Sequence, residues 1–127
     1  MEGIMKAKNV FVTKSFDFAL AVVKTCQKLT KNKMEYILTK QLIRSGTAIG
    51  ALIREAQNAE SKADFIHKLA IAQKECGETL YWRQLIKEAD YLNETEYLEL
   101  SSKATELLKM LRSSTLTTNK KLITHNS

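Results

Sequence analysis

Five charged residues, Arg44, Arg54, Glu55, Glu75 and Glu78, are the side chains best placed in this sequence to do chemistry together. Glu75 and Glu78 fall one helical turn apart, the raw material of a carboxylate-held metal pair in a helical bundle. That chemistry also needs a Glu-x-x-His motif on each of two helices, and none occurs here. His67 and His125 lack a second ligand at a useful spacing. Gly46 and Gly50 fall inside a helical pattern rather than after a strand, so they do not form a phosphate-cradling loop. Cys76 has only Lys74 nearby to lower its pKa. The expectation is therefore no catalytic residue, no metal site and no cofactor. The five charges read instead as a structural polar network that fixes helix register or orders a subunit contact. In an antiparallel pair, Arg54 is expected to reach Glu75.

The second constellation is basic. Residues 1–33 hold seven lysines and two acids, whereas residues 34–112 hold eleven Lys and Arg against twelve acids. The net charge of +6 thus sits mainly at the first helix and the two ends. Lys14, Lys24, Lys28 and Lys31 fall within about 100° of one another on a helical wheel, a stripe suited to the phosphates of RNA or DNA. Phe16 and Phe18 are the aromatic residues among these lysines, and both are assigned to the core, so base stacking is not expected.

The elements that carry these residues are helices. The chain has 127 residues, no proline and four glycines, and proline is the residue that breaks helix interiors. Phe16, Ala19, Val22, Val23, Cys26 and Leu29 recur at steps of three and four, predicting a first helix from about Thr13 to Thr30. A second helix is predicted from about Met34 to Asn58, with Leu38, Leu42, Ser45, Ile49, Ile53 and Ala56 as its inward seam. Gly46 and Gly50 inside it each cost about 1 kcal/mol relative to alanine, a cost that close packing of a neighbouring helix offsets. Ser61 and Asp64 resemble a capping box opening a third helix that runs to about Asp90, and Asn93 and Glu96 open a fourth that ends near Ser113. The third helix carries apolar residues over more than one face, which implies a subunit contact beside the core. Short connections give an all-α, antiparallel up-down-up-down four-helix bundle over residues 13–113. A short arm, residues 1–12, precedes it and a disordered tail, residues 114–127, follows. No apolar run reaches the ~20 residues of a membrane span, and Cys26 and Cys76 read as buried reduced thiols. A cytoplasmic protein is the expectation.

Several segments occur together in one order: Lys14-Ser15-Phe16-Asp17-Phe18-Ala19, then Lys40 to Ala51, Ile53-Arg54-Glu55-Ala56, Ser61 to Lys68, and Lys74-Glu75 with Glu78-Thr79 and Tyr81-Trp82. Together they closely resemble the bacterial 23S rRNA intervening-sequence proteins, with the accessory variability proteins of diversity-generating retroelements as apparent relatives. The resemblance spans about residues 10–112. It implies a homopentamer of antiparallel bundles, a nucleic-acid-linked role and no catalytic residues. Leu52 departs from the asparagine expected of that pattern, and Gly77 stands where a side chain is usual.

Two functions of different class follow. One is an oligomeric accessory protein that binds RNA or DNA through the lysines of the first helix. The other is a protein–protein scaffold that recruits a partner such as a polymerase, with the basic face only steering the encounter.

Overall fold

The computed structural model describes the backbone of residues 2–126 and the side chains of residues 10–120. Four helices account for nearly all of it: α1 (Glu2–Lys33), α2 (Ile37–Gln57), α3 (Lys62–Glu88) and α4 (Glu94–Asn126). Each packs on its chain neighbours, and α4 closes the ring on α1. Side-chain pairs fix the direction. Lys68 reaches Glu55 close to the α2–α3 turn, while Arg44 reaches Glu75 and Glu78 farther from it, so α2 and α3 run antiparallel.

The core is one cluster drawn from all four helices, with Phe18, Val22, Leu42, Ile49, Leu69, Ile86, Leu107 and Leu111 at its centre. Burying one such aliphatic side chain stabilises the fold by roughly 1.5–3 kcal/mol. The inward seam of α2 lies mostly where the period places it: Leu42, Ser45, Ile49, Ile53 and Ala56 are buried, while Leu38, in the first turn, is only partly buried. The face of α1 is rotated from the expected one. Phe11, Ser15, Phe18, Val22, Cys26 and Leu29 point inward, whereas Phe16 is 53% exposed. Both sets recur at helical spacing, and the neighbouring α2 and α4 choose between them.

Both terminal helices outrun their expected ends. α1 begins before Thr13 and passes through it unbroken, because Phe11 is part of the core. α4 continues through Ser113 to Asn126, where a disordered tail is expected from the sequence. Fully buried Leu111 anchors this stretch. Thr115 bonds back to the Leu111 carbonyl, and its hydroxyl also accepts from Gln73 Nε2 at 3.0 Å. The backbone of Met1 and Ser127 and the side chains of residues 1–9 and 121–127, which belong to the expected arm and tail, lie outside the described residues.

The connections are tightly specified. Ser61 Oγ accepts from the Asp64 amide at 3.0 Å, and Asp64 accepts from the Glu60 amide. Asn93 and Glu96 cap each other reciprocally, at 2.8 Å and 3.2 Å. The α1–α2 turn uses a different device. Met34 turns the chain with φ 53°, and Glu35 folds its carboxylate onto the open end of α2. It accepts from the amides of Ile37, Leu38 and Thr39 and from the Thr39 hydroxyl, all within 2.9–3.1 Å. Tyr36, formally the cap residue, makes no side-chain cap. Sequence inspection missed Glu35 because capping patterns favour short oxygen-bearing residues at this position.

Candidate functional site

Lys24, Lys28 and Lys31 are exposed on the outer face of α1. The i, i+4, i+7 spacing aligns them over about 10 Å of helix. None of them forms an ion pair among the described residues. Lys14 differs from the other three: its ammonium is paired with Glu106 of α4, so it ties α1 to α4 and leaves the cationic stripe. The outer face therefore carries three uncompensated lysines rather than four. Lys40 of α2 borders the same groove as Gln27 and Thr30 of α1 and brings a further cation beside the stripe. The sequence pattern hid it because Lys40 belongs to the helix read for its apolar seam.

The polar network forms with a different arginine. Arg44 donates to Glu75 at 3.2 Å and 3.4 Å and to Glu78. The hydrogen bond that Arg44 donates to Glu78 and the charge of Glu75 raise the Arg44 pKa further above its already high value. The antiparallel register decides this pairing: Arg44 and Glu75 stand at equal remove from the α2–α3 turn, while Arg54 is too close to it. Arg54 instead lies over the ring of Phe16, with 5.7 Å from guanidinium carbon to centroid. Glu55 takes Lys68 at 3.3 Å. The five expected residues thus split into an α2–α3 clamp, a separate ion pair and an arginine over an aromatic ring.

Gly46 and Gly50 are both buried against α1. A β-carbon on Gly46 would come within 2.9 Å of both Val22 methyls, and one on Gly50 would lie 3.5 Å from the Ser15 carbonyl oxygen. Packing against Val22 inside the protomer therefore accounts for Gly46, whereas at Gly50 a β-carbon would make only an ordinary contact. On α3 most apolar residues turn to the core or pack against it. Tyr81 at 58% and Leu85 at 37% remain exposed. One turn before Tyr81 is Gly77, whose position has open space on its outer side.

Both cysteines are buried and free. Burial, and secondarily the Glu35 charge, pushes the Cys26 thiol up to about 12. Burial pushes Cys76 up to about 11, against a smaller opposing pull from Arg112. Such thiols are neutral and poor nucleophiles. Their S–H groups point to the carbonyls of Thr39 and Ala104, each at 3.6 Å. Among the described residues, no helix is long and apolar enough to cross a membrane.

Fold and surface together define a class: an all-helical bundle with a row of exposed lysines on one helix. Within that class the chain belongs to the 23S rRNA-intervening sequence protein family, whose model matches residues 7–113. It is similar to a crystal structure of a protein of unknown function from the S23 ribosomal protein family of Bacteroides thetaiotaomicron. The two share 42% identity and a TM-score of 0.84 over 86% of this chain and 97% of the other. No curated protein matches the chain.

Proposed function

We propose that this chain is a non-enzymatic, homo-oligomeric accessory protein that binds nucleic acid through the outer face of α1. The observation that carries the reading is the row Lys24, Lys28 and Lys31, exposed and without carboxylate partners among the described residues. Four cations elsewhere are neutralised by a glutamate, namely Lys14, Arg44, Lys68 and Lys87; the α1 lysines differ in standing in a row on one helix face. Unpaired ammonium groups in a row attract a polyanion and are indifferent to its sequence. The family's name, tied to ribosomal RNA, agrees with this reading.

Assembly, with the pentamer implied by the family resemblance, is supported by the outer face of α3. A glycine in an exposed helix interior costs about 1 kcal/mol, and Gly77 has no intramolecular contact to offset it. Close approach of a second copy, covering Tyr81 and Leu85, supplies the missing compensation.

The test is charge reversal. A protein carrying Lys24→Glu, Lys28→Glu and Lys31→Glu should keep its helical circular dichroism and lose its gel shift with RNA and DNA. Unchanged affinity rejects the reading. A partner protein captured through nuclease treatment and high salt, with no binding to nucleic acid, would favour the scaffold function instead. Those same exposed residues of α3, Tyr81 and Leu85, are the surface that favours it.

A further inference from the structure

We infer that Phe16 and Arg54 form a stacking platform for the unpaired bases of a single-stranded nucleic acid whose backbone follows the lysines of α1. This rests on the nucleic-acid reading above and narrows its ligand to a single strand. Three observations carry it. Phe16 is 53% exposed, although Phe11 and Phe18 on the same helix are 6% and 1% exposed. The Arg54 guanidinium lies 5.7 Å from the Phe16 ring centroid and has no carboxylate partner among the described residues, while its neighbour Glu55 is engaged by Lys68. Finally, Phe16 shares the outer arc of α1 with the lysines, about 12 Å along the axis from Lys24 and about 22 Å from Lys31.

A half-exposed aromatic ring beside a guanidinium offers an unstacked base two planar groups to stack on, and every base has a π-face to offer. A duplex keeps those faces buried in its own stack. Leu20, 42% exposed, lies between Phe16 and Lys24 and extends the apolar strip. Asp17 is exposed on the same arc. Its charge repels phosphate, so at this turn the strand presents its bases and at the lysines its phosphates. Along the helix the surface thus changes from a base-facing end to a phosphate-facing end.

The experiment measures fluorescence anisotropy of a labelled single-stranded RNA and of a hairpin duplex with the intact protein. The variants are Phe16→Ala, Phe16→Tyr, Phe16→Trp and the triple lysine reversal. Phe16→Ala should weaken single-strand binding about tenfold, the worth of one base–aromatic stack, and leave duplex binding unchanged. Phe16→Tyr should retain wild-type affinity. In Phe16→Trp, indole fluorescence should be quenched by the single strand and not by the duplex. If Phe16→Ala binds the single strand like wild type while the lysine reversal abolishes binding, the platform is wrong and the nucleic-acid reading stands. If the lysine reversal also binds normally, both fall. A Phe16→Ala protein that sediments as a smaller species overturns the platform by making Phe16 a contact between copies.

Discussion

Gly46 of α2 lies against Val22 of α1 so closely that a β-carbon at position 46 would come within 2.9 Å of both valine methyls. Val22 is fully buried and β-branched, with little rotamer freedom to retreat. This pair sets the α1–α2 distance, and through it the position of the outer face of α1.

The three internal glycines should respond differently to alanine. Gly46→Ala should destabilise the protein: the overpacking cost of about 1–3 kcal/mol exceeds the gain in helix propensity of about 1 kcal/mol. Adding Val22→Ala should recover part of the loss, because the two sites couple directly. Gly50→Ala meets the Ser15 carbonyl at an ordinary 3.5 Å and should be neutral or stabilising. Gly77→Ala enters open space and should raise protomer stability while weakening assembly. Urea midpoints and sedimentation velocity of the three variants check this.

Glu35 should contribute an acid-sensitive share of stability. Burial alone would raise its pKa, but hydrogen bonds from the Leu38 and Thr39 amides, the Thr39 hydroxyl and the Ile37 amide outweigh that and hold it below the ordinary 4.5. A carboxyl with a lowered folded pKa stabilises above its unfolded value and loses that contribution as pH falls through the folded one. Wild type should therefore lose stability below pH about 4.5, and Glu35→Gln should lose less over the same interval. Glu35→Ala should cost roughly 0.5–2 kcal/mol at neutral pH, the worth of a helix cap. Urea titrations across the acid range read both effects.

Cys26 and Cys76, with thiols raised to about 12 and about 11, should resist a disulfide reagent in the native protein at pH about 8, where an ordinary thiol is partly ionised. Both should label together when urea unfolds the bundle. A thiol that labels at the unprotected rate in buffer would contradict its burial.

Much of the fold was legible in the sequence. The α2 seam of Leu42, Ser45, Ile49, Ile53 and Ala56 followed from period alone, because a helix packed on two neighbours leaves one phase open to it. The capping boxes at Ser61 and Asn93 followed from short polar residues three positions ahead of an acid. The phase of α1 was not legible: Phe16 and Phe18 are equally apolar, and only the positions of α2 and α4 show that Phe18 is inside. The same ambiguity concealed the aromatic beside the lysines. Arg44 and Arg54 were likewise interchangeable until the turn length fixed the register against Glu75. Lys14 looked like a member of the stripe because its partner, Glu106, lies about ninety residues away in sequence, beyond the reach of any local pattern. The helical course of α4 past Ser113 depends on Gln73 and Leu111, contacts that no composition reveals.

If the unpaired lysines of α1 meet phosphate, binding must weaken with salt. Three phosphate contacts per protomer give a slope of log affinity against log salt of about −2 on single strands. Wild type should show at least that slope, and the protein with Lys24, Lys28 and Lys31 all changed to glutamine should show a slope near zero with residual affinity only. A wild-type affinity for nucleic acid that is flat across the salt series, or a slope that survives the triple substitution, would contradict phosphate contact by these lysines.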